Sequence, residues 1–73
     1  VRLVSASDKL HNARSILLDL RAHGPALWSR FTAGREGSLW YYRSLVQAFA
    51  AHGSTPLVDE LEHTVSTIEA LAS

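Results

Sequence analysis

Three clusters of helix-breaking residues divide this chain, and every segment between them carries a helical repeat of apolar side chains. The breaks fall at His23-Gly24-Pro25, Thr32-Ala33-Gly34 and Gly53-Ser54-Thr55-Pro56. Glycine readily ends a helix, and proline cannot continue one. Before the first break, Leu3, Leu10 and Leu17 recur every seven residues, with Ala6, Ala13 and Leu20 on the neighbouring track. That predicts a first helix from about Val1 to about Ala22. Ala26 to Phe31 reads as a short helical turn. A second long helix, from about Arg35 to about Ala51, puts Leu39, Tyr42, Val46 and Phe49 on one face, flanked by Trp40 and Leu45. Thr55 then reads as an N-cap, with Pro56 at the first helical position and Asp59 and Glu60 in the first turns. Such an arrangement satisfies free amide groups and suits the positive helix end. The last helix, from about Pro56 to about Leu71, carries a stripe of Val58, Leu61, Val65, Ile68 and Ala72, widened by Leu57 and Leu71. There is no strand pattern. The expected fold class is all-α, with three main helices plus a short helical turn.

At 73 residues the chain is one small domain. A domain of this size buries only about 60% of its unfolded surface. It has no cysteine, so neither disulfides nor a thiolate zinc site are available. That fits a reducing compartment, and the expected location is cytoplasmic. No apolar run approaches the ~20 residues needed to span a bilayer, and the first residues lack a signal-peptide pattern. No membrane partner is therefore expected. The chain has no methionine, so Val1 is read as an internal position of something longer.

Net charge is zero, which argues against a nucleic-acid partner. The charge is nonetheless unevenly placed. All seven basic residues lie between Arg2 and Arg43, whereas Ser44 to Ser73 has none and carries Asp59, Glu60, Glu62 and Glu69. Two readings are open: the first part faces an anionic ligand, or the basic residues line a solvated helix face.

The first helix has a second, polar face. At ~100° per residue, Asp8, Asn12, Ser15 and Asp19 fall within a narrow sector opposite Leu3, Leu10 and Leu17. An amphipathic helix needs such a wet face in any case. Val4, Ile16 and Leu18 flank the strip and make it narrow, as if it lined a pocket.

The octet Ser7-Asp8-Lys9-Leu10-His11-Asn12-Ala13-Arg14 resembles the last signature of the HD-domain metal-dependent phosphohydrolases, in particular the branch that hydrolyses the alarmone guanosine tetraphosphate. Leu27-Trp28-Ser29-Arg30-Phe31-Thr32-Ala33-Gly34, Leu39-Trp40-Tyr41-Tyr42-Arg43 and Pro56 to Glu62 resemble a group of small bacterial HD proteins. The resemblance implies the C-terminal part of an HD-domain helical bundle. It implies that Asp8 matches the late aspartate of a divalent-metal site, with manganese favoured for carboxylate and imidazole ligands. In such a site the metal polarises a phosphate oxygen and activates a water. Asn12 and Ser15 match positions that contact a nucleotide substrate. Lys9 and Arg14 read as weaker candidates, pointing away from the strip.

The family's first histidine and its His-Asp doublet would precede this segment, and neither is present. His11, His23, His52 and His63 show no i, i+4 metal-site pair and read as surface or capping residues. With a single carboxylate, the chain is expected to be inactive by itself. Trp40, Tyr41, Tyr42 and Arg43 suit stacking on a base or ribose. The plainer reading puts Trp40 and Tyr42 in the core with Tyr41 and Arg43 at its rim.

The expected function is therefore a fragment of a nucleotide phosphohydrolase. The alternative is a non-catalytic helical interaction module in which Asp8, Asn12 and Ser15 are merely solvated. Missing upstream cover also predicts association, most simply a homodimer, with Val4, Ile16 and Leu18 as contacts.

Overall fold

The backbone of the computed structural model describes residues 5–72. Three α-helices, α1 (Ala6–His23), α2 (Gly34–Ala51) and α3 (Pro56–Ala72), are joined by a 3-10 helix over Gly24–Arg30. No strand occurs among the described residues. No described helix is long and apolar enough to cross a membrane.

Local chemistry sets most of the boundaries. Ser5 is extended, and its side chain accepts a hydrogen bond from the Ser7 amide, so α1 begins at Ala6. An N-cap hydroxyl satisfies one of the free amides of the first turn. The expected start near Val1 is thus corrected at Ser5, and Val1 to Val4 lie outside the described residues. At the other end Gly24 takes a φ of 68° and donates its N–H to the Leu20 carbonyl, closing α1. Only glycine reaches that backbone region cheaply. Pro25 then opens the 3-10 helix.

The cap of α3 is as expected. Thr55 Oγ1 accepts from the Val58 amide at 3.1 Å, and the Ser54 hydroxyl donates to Asp59 at 2.9 Å. Replacing the cap, Thr55→Ala, should cost about 1 kcal/mol. The check is a denaturant titration of both proteins, and Thr55→Ser should recover most of the loss.

α3 is the central element. Both α1 and α2 pack along it, while the 3-10 helix joins them at one end. Its stripe of Val58, Leu61, Val65 and Ile68 is buried, with Ala72 half-buried. Leu57 and Leu71 stay exposed rather than widening the stripe. From α1 come Leu10, Ala13, Ile16 and Leu20, and from the 3-10 helix Leu27 and Trp28. α2 supplies Val46, with Leu39, Tyr42 and Phe49 packed partly against the core.

The buried stripe of α1 therefore follows three- and four-residue steps instead of the seven-residue repeat. Leu17 is only half-buried, and Leu3 is outside the described residues. Of the expected self-association contacts, the same packing corrects Ile16. Ile16 is 7% exposed and belongs to the core, whereas Leu18 is 64% exposed. Val4 lies outside the described residues, so Leu18 is what remains of that contact on the described surface.

The uneven charge also finds its place in the packing. Arg14 on α1 pairs with Glu60 on α3. Arg43 on α2 grips Glu69 through Nε at 3.1 Å and Nη2 at 2.6 Å, and reaches Glu62 at 3.3 Å and the Ser66 hydroxyl at 3.1 Å. Arg14 and Arg43 thus tie α1 and α2 to the acidic last helix. Arg43 is a clamp on α3 at the rim of the core, which corrects its reading as a stacking residue.

Candidate functional site

Because α1 and α2 both lie on α3 and touch each other little, a groove remains between them. One stretch has a volume of about 370 Å³. Its α1 wall is Asn12, Ser15 and Asp19, one turn apart along the helix, with Ile16 at the base. Arg30 from the end of the 3-10 helix closes it, with Phe31 and Tyr42 opposite.

The polar strip read from the sequence is therefore real as a surface. Asn12 and Ser15 open onto one concavity. Asp8 does not line it; it stands exposed one turn nearer the start of α1. The structure therefore joins two of the three expected site residues in one groove and leaves the third outside it. Asp19, the fourth member of the strip, accepts a hydrogen bond from Arg30 Nη2 at 2.9 Å. This ion pair holds the end of the 3-10 helix against α1 and balances the Asp19 charge beside the groove. Both partners are well exposed, so the pair contributes at most about 1 kcal/mol.

Opposite α1, the Tyr42 phenol is partly withdrawn from water. That desolvation raises its pKa, opposed by the nearby Lys9 ammonium and reinforced by Tyr41. Tyr42 is thus protonated at neutral pH, able to donate or accept a hydrogen bond into the groove. Lys9, read as pointing away from the strip, does not line the groove; its Nζ lies 5.7 Å from the centroid of the Tyr41 ring on α2. That is within cation–π range.

A second hollow of about 450 Å³ continues along α2. It shares Phe31 and Tyr42 with the first and adds Trp40 and Tyr41. Trp40, expected in the core, is 71% exposed. It falls on the side of α2 that α3 does not cover. Its neighbour Tyr42, two positions on, packs inward.

Sequence reasoning missed Arg30 and Phe31 as members of the site. Both sit just before the second break, and nothing local to them signals a groove. What places them is the turn of the chain out of the 3-10 helix, where Phe31 is extended and its ring packs tilted against Trp28, centroids 5.9 Å apart.

The donor set bears on metal binding. Among the described residues no group of three His, Cys, Asp or Glu side chains converges. These residues by themselves therefore do not form a divalent-metal centre, and Asp8 stands as a single exposed carboxylate. Set beside known proteins, the chain matches no family model, no curated protein and no solved structure.

Proposed function

We propose that this chain forms one wall of the substrate site of an HD-type phosphohydrolase acting on a nucleotide phosphate or pyrophosphate ester, with a guanosine tetraphosphate alarmone as the leading substrate. The observation that carries the reading is the common groove of Asn12 and Ser15. The family likeness assigns nucleotide contact to these positions, Asn12 within the octet and Ser15 just after it, where serine stands in for the family's threonine. The groove offers an amide, a hydroxyl and a phenol beside the Arg30–Asp19 ion pair, a set suited to the hydrogen-bonding edges of a nucleotide. Within this reading Asp8 contributes one carboxylate to a metal site whose other ligands come from outside residues 1–73. What this segment's own residues do is bind and orient the substrate.

The test is hydrolysis of guanosine tetraphosphate with manganese, using the protein as its gene encodes it. Pyrophosphate release is the expected result. Asn12→Ala should raise KM roughly tenfold, about the worth of one lost hydrogen bond to a charged or strongly polar group, with kcat changed far less. Ser15→Ala should act in the same direction. An unchanged KM in both variants removes them from substrate contact.

A second reading is a helical interaction module without catalysis. The exposed large apolar residues Leu18, Trp40, Leu57 and Leu71, spread over all three helices, favour it by leaving apolar side chains free for a partner. The same assay separates the two, because a module of this kind releases no phosphate from any nucleotide.

A further inference from the structure

The aromatic hollow is not accounted for by the contacts that Asn12 and Ser15 make. Its main features are Trp40 at 71% exposure, Tyr41 at 44% exposure, and a floor formed at Gly37. Gly37 sits inside α2, where glycine costs about 1 kcal/mol relative to alanine. A Cβ there would lie 2.6 Å from the Ala33 Cβ, so a side chain at this position would force the two apart. The Ala33 methyl fills that space, so Ala33 and Gly37 keep this part of the lining free of any larger side chain.

Three observations select the occupant. The hollow is walled by aromatic rings, two of which, Tyr41 and Tyr42, meet edge-on at 5.3 Å. It runs into the polar groove through shared walls, Phe31 and Tyr42. Beside it, over the Tyr41 ring, the Lys9 ammonium has no carboxylate partner among the described residues. A ligand that fits all three has a planar apolar face, a hydrogen-bonding edge and negative charge.

We infer that Trp40 and Tyr41 form a base-stacking platform that takes the purine ring of a nucleotide, whose polar groups reach the adjoining groove and whose phosphates meet Lys9. Every base presents a π face, so such a platform supplies affinity, while the polar groove supplies discrimination. The inference deepens the proposed reading and rests on its nucleotide ligand, but it concerns residues to which that reading gives no role.

The two tryptophans make the test direct. Trp28 is 6% exposed in the core, whereas Trp40 stands in water, so quenching by ligand in the red-edge emission reports Trp40. The probe is guanosine 5′-diphosphate without metal, titrated into the 73-residue chain, with ribose 5-phosphate plus pyrophosphate as the control lacking a base. Saturable quenching by the nucleotide and none by the control is the expected result. Calorimetry should then show Trp40→Leu and Tyr41→Leu each weakening binding about tenfold, with helical circular dichroism unchanged.

The outcomes separate this inference from the reading beneath it. If the Trp40 and Tyr41 variants lose affinity while Asn12→Ala does not, the platform stands and the role of Asn12 falls. If Asn12→Ala loses affinity while Trp40→Leu binds like the parent, the platform is overturned and the groove reading survives. Absence of quenching up to millimolar nucleotide overturns the platform. So does concentration-dependent dimerisation in sedimentation that Trp40→Leu abolishes, because the hollow is then a face between two copies.

Discussion

Leu61→Ala should remove the cooperative thermal transition of this domain or lower its midpoint by more than about 10 °C. Leu61 is completely buried and belongs to the core cluster that joins α3 to α1, α2 and the 3-10 helix. Truncating a buried leucine costs about 2–5 kcal/mol, because the lost transfer energy is joined by the cavity left behind. A domain of this length holds roughly 4–11 kcal/mol in total. The loss is therefore a large share of the whole, and every helix is affected at once. Far-ultraviolet circular dichroism against temperature measures it. Leu71→Ala is the matched control, since Leu71 is half exposed on the same helix and should shift the midpoint by no more than a few degrees. Equal midpoints for the two variants would mean that α3 does not pack through the Leu61 face.

Arg43→Ala should cost about 2 kcal/mol, the largest effect expected from a single polar residue here. The guanidinium engages Glu69 in a two-pronged contact and also reaches Glu62 and Ser66. Its side chain is mostly withdrawn from water, so the pairing with Glu69 is less screened than an ordinary surface pair. The hydrogen bond to Glu69 is also the main reason the Arg43 pKa is raised. Arg43→Lys cannot form the fork and should recover less than half of the loss. Denaturant midpoints of the three proteins give the comparison.

Acid should expose the same network. The Ser66 hydroxyl, and after it Arg43, hold the Glu62 carboxyl below the usual glutamate range. A carboxyl whose folded pKa is depressed contributes stability that is present above its unfolded pKa, about 4.3. That contribution is lost as the pH falls through the folded value. The parent should therefore lose midpoint on acidification below about pH 4.3. Arg43→Ala, which keeps only the Ser66 part of the depression, should lose less.

The element order was legible because its causes are local. Gly24 with Pro25, and Thr55 with Pro56, act on their own backbone and stop or start helices wherever the chain goes. The stripe of α3 was equally legible, since a helix packed on two sides must keep one apolar face and Val58, Leu61, Val65 and Ile68 supply it. Of the candidate site, the Asp8-Asn12-Ser15-Asp19 strip follows from the helical period alone. That Asn12 and Ser15 share a groove, and that Asp8 stands outside it, does not.

Amphipathic periodicity thus determined by itself that this chain is three helices with a buried last stripe, because periodicity and capping are properties of neighbouring residues. Tertiary packing decided the rest. Ile16 is core because α1 is rotated to lay Leu10, Ala13, Ile16 and Leu20 on α3. Trp40 is in water because α3 covers the other side of α2. Arg14 and Arg43 meet Glu60, Glu62 and Glu69 because their helices lie against α3. The groove exists because two helices share a third without packing on each other. Each of these depends on which face meets which partner, and that is settled by residues far apart in the chain.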